Sequence, residues 1–174
     1  VGEQSRDQLL ASNQGFDLPD GAATALPDSL EQILGQRLEG AAAGTPFVAD
    51  LLQAAAVLGE GFAVETLARV LSACGVAADG AVLDDALDAL LDARVLVESS
   101  TRPGDRLAWE HPLLRSLVLE RTRRSRRRRR LAGAAAEALL QGEAPEARPV
   151  VELLLLAGDP AAAAPLAARA GDEA

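Results

Sequence analysis

The chain contains no lysine, methionine or tyrosine, and it has only one histidine, one cysteine and one tryptophan among its 174 residues. A single cysteine excludes a disulfide framework within the chain and agrees with a reducing, cytoplasmic setting. One cysteine and one histidine also exclude an ordinary zinc site and a nucleophile triad. Without lysine there is no phosphate loop of the Gly-Lys-Ser/Thr type. We therefore predict that this chain is not an enzyme and holds no metal.

Long apolar runs are also missing. No run approaches the roughly 20 apolar residues that a membrane-spanning helix needs, and the first residues lack the layout of a signal peptide. We expect no membrane partner. The missing initiator methionine leads us to expect an internal piece of a longer protein.

The charge is distributed unevenly along the chain, whose net charge is −9. Residues 1–120 carry 7 arginines against 19 acidic residues, whereas residues 121–130 carry 8 arginines and no acid. The body is therefore acidic, and one short segment, the arginine run, is strongly basic. The run consists of Arg121, Arg123, Arg124, Arg126, Arg127, Arg128, Arg129 and Arg130.

The composition favours helices, since alanine, leucine, arginine and glutamate are strong helix formers. Residues 1–25 have the glycine and proline content of a connector. Apolar spacing and capping signals then predict four helices. They begin at Pro27, at Pro46, near Val64 and after Asp79, with Gly75 ending the third. A short turn through Phe62 joins the second to the third.

After the fourth helix the apolar period changes from 3.6 to 2. Residues 95–98 and 106–109 are predicted to be strands, joined by a turn at 102–105. Trp109 is predicted to face inward on the second strand, with base stacking as the alternative. Three helices followed by a β-hairpin is the order of a winged helix. His111 and Pro112 then begin a fifth helix.

Beyond residue 125 the pattern is entirely helical. Ala157-Gly158-Asp159-Pro160 ends one helix and begins another, and Ala170-Gly171-Asp172 is predicted to begin yet another. Short helices joined by repeated tight turns indicate a helical repeat array. The predicted fold is mainly α: a connector (1–25), a winged-helix domain with one β-hairpin (26–122) and the start of TPR-like antiparallel helical-repeat hairpins (123–174).

Five short stretches, taken in order, resemble a region of known proteins. They are 26–30 (LPDSL), 37–38 (RL), 54–59 (AAAVLG), 87–91 (LDALL) and 110–115 (EHPLLR). In order and spacing they are similar to the winged-helix and early repeat region of bacterial STAND-type signal-transduction ATPases. This family includes large LuxR-type and antibiotic-regulatory transcriptional activators and ATPase-coupled cyclases. The resemblance covers roughly residues 20–172.

The resemblance implies a regulatory role. In that family the winged helix follows an ATPase core, folds back on bound ADP and holds the protein inactive. Residues 110–115 are similar to a Met-His-Asp motif followed by Leu-Leu-Arg, with Glu110 in place of Met and Pro112 in place of Asp. His111, with Arg115, would sense the nucleotide. ADP or ATP, with Mg²⁺, would be held by the ATPase core of the same protein and not by this chain alone.

The implied partners are therefore that core and an unknown effector or protein on the repeats. Homo-oligomerisation on activation is also implied, with DNA contacted only through other domains.

The residues themselves give a compatible interpretation of His111. Pro112 disfavours helical dihedrals at residue 111, so His111 should be an N-cap. A helix N-terminus offers free N–H groups and partial positive charge, to which a phosphate can bind. The alternative is a histidine that only caps the helix or lies on the surface without a ligand.

The arginine run supports a rival hypothesis. Closely spaced arginines could neutralise nucleic-acid phosphates, although aromatic residues for base stacking are missing. The alternative is that the arginine run binds no nucleic acid and forms a basic face that is either solvated or paired with the acidic body. The fourth helix carries Asp84, Asp85, Asp88 and Asp92, which would repel DNA from its usual reading face. Asp84 and Asp88 could bind a hard cation, but a solvent-facing stripe is favoured. A plain protein-interaction scaffold is the third possibility.

Overall fold

A computed structural model of the chain describes residues 28–43, 45–76, 79–99, 105–122, 126–142 and 147–172. The predicted connector (1–25) and most of the predicted turn at 102–105 lie outside these residues. The described parts form eight helices and three short strands. In chain order these are α1 (Asp28–Ala42), α2 (Pro46–Leu58), β1 (Gly61–Ala63), α3 (Val64–Ala73), α4 (Gly80–Asp92), β2 (Leu96–Glu98), β3 (Arg106–Trp109), α5 (Pro112–Thr122), α6 (Arg126–Leu140), α7 (Ala147–Ala157) and α8 (Pro160–Asp172).

The predicted capping residues define several helix ends. The Asp79 carboxylate accepts a hydrogen bond from the Val82 N–H at 2.9 Å, which begins α4. Gly75 follows α3 with a φ of 74°, and the Val76 N–H reaches back to the Leu71 carbonyl at 3.0 Å. This is the Schellman arrangement, which needs a residue in the left-handed region. Local sequence chemistry therefore determines where α3 ends and α4 begins.

The sheet contains one strand that the sequence analysis missed. Its order is β1-β3-β2, with both pairs antiparallel. The segment predicted as a turn through Phe62 is the strand β1, and Phe62 lies opposite Leu107 in the register. That prediction was wrong because three residues are too short to show a period of 2. Pairing with a distant strand, and not local propensity, makes this segment extended.

Helix α2 lies at the centre of the core. Eight of its residues are buried, and Ala54, Ala55 and Ala56 have no exposed surface. Such small side chains allow α1, α3, α5 and α6 to pack around α2. One continuous apolar cluster extends from Leu34 in α1 to Ala163 in α8. The predicted domain boundary at 122–123 lies between α5 and α6, and both helices contribute residues to this one core.

The last three helices pack in succession, with α6 on α2 and α3, α7 on α6, and α8 on α7. As predicted, α7 ends before Gly158, whose φ is 87°. The Asp159 carboxylate then caps α8 by accepting from the Ala162 N–H at 3.0 Å. Gly171 and Asp172, however, belong to α8, so the predicted break at 170–172 was wrong. In the described part of the chain, no helix has both the length and the apolar character that crossing a bilayer requires.

Candidate functional site

His111 caps helix α5. Pro112 is the first residue of that helix, and the His111 Nδ1 atom accepts a hydrogen bond from the Leu113 N–H at 3.2 Å. The side chain is half-buried and not enclosed in the core. An accepting Nδ1 atom assigns the proton of the neutral ring to Nε2. The ring therefore keeps one donor, Nε2–H, for another group.

The backbone at this corner differs from the sequence expectation of free N–H groups. Pro112 has no N–H, the Leu113 N–H is bonded to the His111 ring, and the Leu114 N–H is bonded to the His111 carbonyl at 3.0 Å. None of the first three positions of α5 therefore keeps an unused N–H. The expectation failed because the side-chain cap and a tight first turn use these donors. An anion at this corner would meet the imidazole and not the backbone.

Two charged residues adjoin the His111 corner. The Glu110 N–H donates to the Val95 carbonyl at 3.1 Å, and the Glu110 carboxylate lies 3.9 Å from the Arg94 guanidinium. The Arg94 side chain is 74% exposed. This cation offsets the carboxylate, so the corner is not dominated by negative charge. The corner is also linked to α1, because the Arg94 carbonyl accepts from the Arg37 guanidinium at 3.2 Å.

Arg94 was missed by the sequence analysis. Its φ is 53°, and it is the only non-glycine residue with positive φ among those described. Arg94 ends α4 in the same way as Gly75 ends α3 and Gly158 ends α7. In each case the N–H of the next residue bonds back to a carbonyl of the helix, here from Val95 to Leu90 at 2.9 Å. A missing glycine where α4 ends was the signal that could have identified this residue.

Arg115, the second predicted nucleotide-sensing residue, lies one turn after His111 but in different surroundings. Its Nε–H donates to the Ala56 carbonyl at 2.9 Å, which satisfies one of the free carbonyls at the end of α2. Arg115 also lines a cleft of about 560 Å³ between the α2–β1 corner and α7, whose far wall includes Glu152. His111 does not line this cleft. The structure therefore does not bring the two predicted residues into one pocket.

The arginine run is divided between two faces of α6. The Arg127 guanidinium pairs with Asp50 of α2, and both Arg127 and Arg128 are half-buried. On the other face Arg126, Arg129 and Arg130 are exposed. Arg121, at the end of α5, pairs with Glu39 of α1 at 2.9 Å. Arg123 and Arg124 lie outside the described residues. Arg121 and Arg127 therefore pair with carboxylates of the acidic body, which was one of the expectations for the arginine run.

The acidic stripe on α4 faces solvent. Asp84, Asp85, Asp88 and Asp92 are all exposed. No group of three or more histidine, cysteine, aspartate or glutamate residues suited to a metal ion occurs in the described ranges. The predicted solvent-facing stripe is confirmed.

Trp109 lies inward on β3, as predicted, and is buried. Its indole Nε1–H donates to the Gly59 carbonyl at 3.0 Å, and its backbone N–H donates to the Glu60 carbonyl at 3.2 Å. These bonds attach the end of α2 to the sheet. Trp109 is therefore not available for base stacking.

Cys74, at the end of α3, is half-buried. Burial raises the pKa of the Cys74 thiol, and the nearby charges of Arg130 and Arg127 oppose this effect only in part. The thiol is therefore a poor nucleophile at neutral pH.

Comparison with known proteins adds no assignment, because the chain matches no protein-family model, no curated protein and no solved structure.

Proposed function

We propose that the chain is a non-catalytic regulatory segment of a STAND-type signal-transduction ATPase located in the cytoplasm. In this proposal α2 to β3 form a winged helix that gates an ADP/ATP site in an ATPase core of the same protein. Helices α6 to α8 are the start of a repeat region that receives a signal or partner. The observation that carries the proposal is the half-exposed His111 ring, whose Nε2–H is available at the beginning of α5.

The element order supports the winged-helix part of the proposal. Strand β1 lies between α2 and α3, and the hairpin of β2 and β3 follows α4. Strand β3 is the central strand of the sheet. This is the arrangement expected of a winged helix. The exposed aspartates of α4 argue against DNA reading by the usual helix, because they would repel phosphate. A winged helix without a DNA-reading face is suited to contact within the protein.

The chemistry of the switch is proposed to depend on one hydrogen bond. The His111 Nε2–H would donate to a phosphate oxygen of ADP, with the exposed Arg94 offsetting the negative charge of Glu110 at the same corner. Arg115 would have a positioning role, since its bond to the Ala56 carbonyl holds α5 against α2. The nucleotide and its Mg²⁺ would be held by the core, and no residue of this chain is assigned to the metal.

The experiment compares two variants of His111 in the polypeptide that contains this chain and its ATPase core. His111→Ala removes both the cap and the Nε2–H donor, at a cost of about 1 kcal/mol of stability. His111→Ser keeps a capping oxygen but is too short to replace Nε2. We expect both variants to release ADP faster and to raise basal activity. If His111→Ser retains ADP like the wild type while His111→Ala does not, the ring only caps α5 and the proposal fails.

A second candidate function is favoured by the exposed face of α6. We propose as an alternative that Arg126, Arg129 and Arg130 bind a polyanion such as duplex DNA, since all three are exposed on one face of α6. Replacing all three with glutamine should reduce the slope of log affinity against log salt by about 3. The matched control is Arg127→Gln, which removes one charge from the paired face. Binding that persists unchanged in the triple variant would exclude this mechanism.

A further inference from the structure

The cleft between the α2–β1 corner and α7 has the size of a ligand site. Its volume is about 560 Å³, which lies within the roughly 300–1,000 Å³ typical of small-molecule pockets. One wall is the end of α2 and the start of β1, including Gly59 and Glu60. The opposite wall is α7, including Glu152, Leu153 and Leu156. The cleft therefore lies where the helices after residue 125 meet the helix–sheet body.

Arg115 presents a fixed guanidinium in this cleft. Its Nε–H is bonded to the Ala56 carbonyl at 2.9 Å, which holds the side chain in place. The two terminal nitrogens make no hydrogen bond or ion pair to the described part of the chain. An arginine held at one nitrogen, with the other two available, matches the two oxygens of a carboxylate.

Two carboxylates also line the same cleft. Glu60 is exposed, and the Glu152 side chain is 70% exposed with Arg148 as its partner at 3.4 Å. Glu60, Glu152 and Arg115 all line the cleft, but neither carboxylate forms an ion pair with Arg115. Both carboxylates therefore lie more than 4 Å from its guanidinium. The partial negative charge at the end of α2 adds to these carboxylates. One part of the cleft therefore favours an anion and another part favours a cation.

Apolar side chains of α7 also line the cleft. Leu153, which is buried, and Leu156, which is half-buried, lie in the wall beside Glu152, and Leu156 can contact an aliphatic group. We propose that this cleft binds a small zwitterion of the amino-acid or dipeptide class with an aliphatic side chain. Its carboxylate would be bound by Arg115, its ammonium group by Glu152 and Glu60, and its side chain would contact α7. This inference does not depend on the proposed nucleotide switch.

The test uses the 174-residue chain and NMR titration with L-leucine and the dipeptide Leu-Leu. Gly59 and Gly61 provide separate backbone amide signals at the cleft, and Gly133 in α6, which does not line it, is the reference. We expect saturable shifts of the first two glycines with at least one ligand. The leucine analogues 4-methylpentanoate, which lacks the ammonium group, and 3-methylbutylamine, which lacks the carboxylate, should bind about tenfold more weakly.

Variants separate this site from a general surface effect. Glu152→Gln should weaken binding about five- to tenfold, whereas Arg148→Gln is the matched control. That control removes the partner of Glu152 without altering the cleft lining, and it should not weaken binding. Arg115→Lys should lose about tenfold in affinity, because lysine lacks the guanidinium fork. Since this last change also removes the bond to Ala56, Glu152→Gln is the decisive variant.

Three results would overturn the proposal. The first is no shift of Gly59 or Gly61 with either zwitterion up to millimolar concentration. The second is equal binding of 4-methylpentanoate, which would indicate a simple anion site. The third is unchanged affinity in Glu152→Gln. None of these readouts involves nucleotide, so failure here is distinguishable from failure of the proposed function.

Discussion

Replacing Asp50 with asparagine removes the carboxylate that Arg127 contacts between α2 and α6. The side chains of this pair are 35% exposed for Arg127 and 23% exposed for Asp50, and the Arg127 Nε atom is buried without a partner. The guanidinium is then left partly buried without an opposite charge. We therefore expect Asp50→Asn to destabilise the chain.

The magnitude follows from the burial of the pair. Two unit charges 4 Å apart attract by about 4 kcal/mol at an effective dielectric constant of about 20. Desolvation and partial exposure offset much of this attraction. Breaking a fully buried pair costs about 3–5 kcal/mol, and breaking an exposed pair costs about 0–1 kcal/mol. The half-buried Asp50–Arg127 pair should lie between them, at about 2 kcal/mol, which lowers the Tm by about 4–8 °C for a chain of this size.

The assay is thermal and urea unfolding followed by circular dichroism, with a double-mutant cycle. The double variant Asp50→Asn/Arg127→Gln should cost about 1–2 kcal/mol less than the sum of the single variants, because neither charge is then left without its partner. The matched control is the exposed Arg148–Glu152 pair, in which Glu152→Gln should cost less than about 0.5 kcal/mol. If the Asp50 and Arg127 effects add within about 0.3 kcal/mol, the internal pairing does not stabilise the fold and this reasoning is refuted.

Three other predictions concern the sheet, the corner and the thiol. Trp109→Phe leaves the Gly59 carbonyl without its donor and should cost about 2 kcal/mol, measured as a lower urea midpoint; an unchanged midpoint would contradict this. Arg94→Gly relieves a left-handed backbone and should raise stability by about 0.5–1 kcal/mol, since the 3.9 Å contact with Glu110 is exposed and weak; a lower Tm would show that the contact matters more. Burial raises the pKa of the Cys74 thiol, so at pH 7 the thiol should react with DTNB more slowly in the native chain than in urea. The difference between the two rates should become smaller as the pH rises towards the raised pKa, and equal rates at pH 7 would contradict this prediction.

Local chemistry made much of the helical framework predictable. The positions of Gly75, Asp79 and Gly158 identified where α3 ends, where α4 begins and where α7 ends, because capping needs specific side chains or a left-handed residue. The predicted strand ending at Trp109 and the helix beginning at Pro112 are also present. In each case the signal lies within a few residues of the boundary that it defines.

The strand β1 was not predictable in the same way. It has three residues, and its hydrogen-bond partner β3 is more than 40 residues away along the chain. The continuation of α8 through Asp172 likewise overrides the local Gly-Asp signal. For β1, pairing with a distant strand, which a local pattern does not contain, decides the conformation.

For the candidate site, the sequence predicted where His111 lies along the chain but not the side-chain geometry around it. Sequence placed His111 at the beginning of a helix, but the choice of Nδ1 as the capping atom depends on the side-chain rotamer. The cleft lined by Arg115 and Glu152, which are 37 positions apart in sequence, depends on how α7 packs on α6 and α6 on α2. The division of the arginine run depends on which face of α6 meets Asp50.

The most direct test of the central claim is the structure of the protein that contains this chain together with its ATPase core, determined with ADP bound. We predict that the Nε2 atom of His111 lies about 2.7–3.2 Å from a phosphate oxygen, while its Nδ1 atom still accepts from the Leu113 N–H. A ring whose Nε2 atom instead contacts only protein groups, with the phosphates held entirely by the core, would contradict the account.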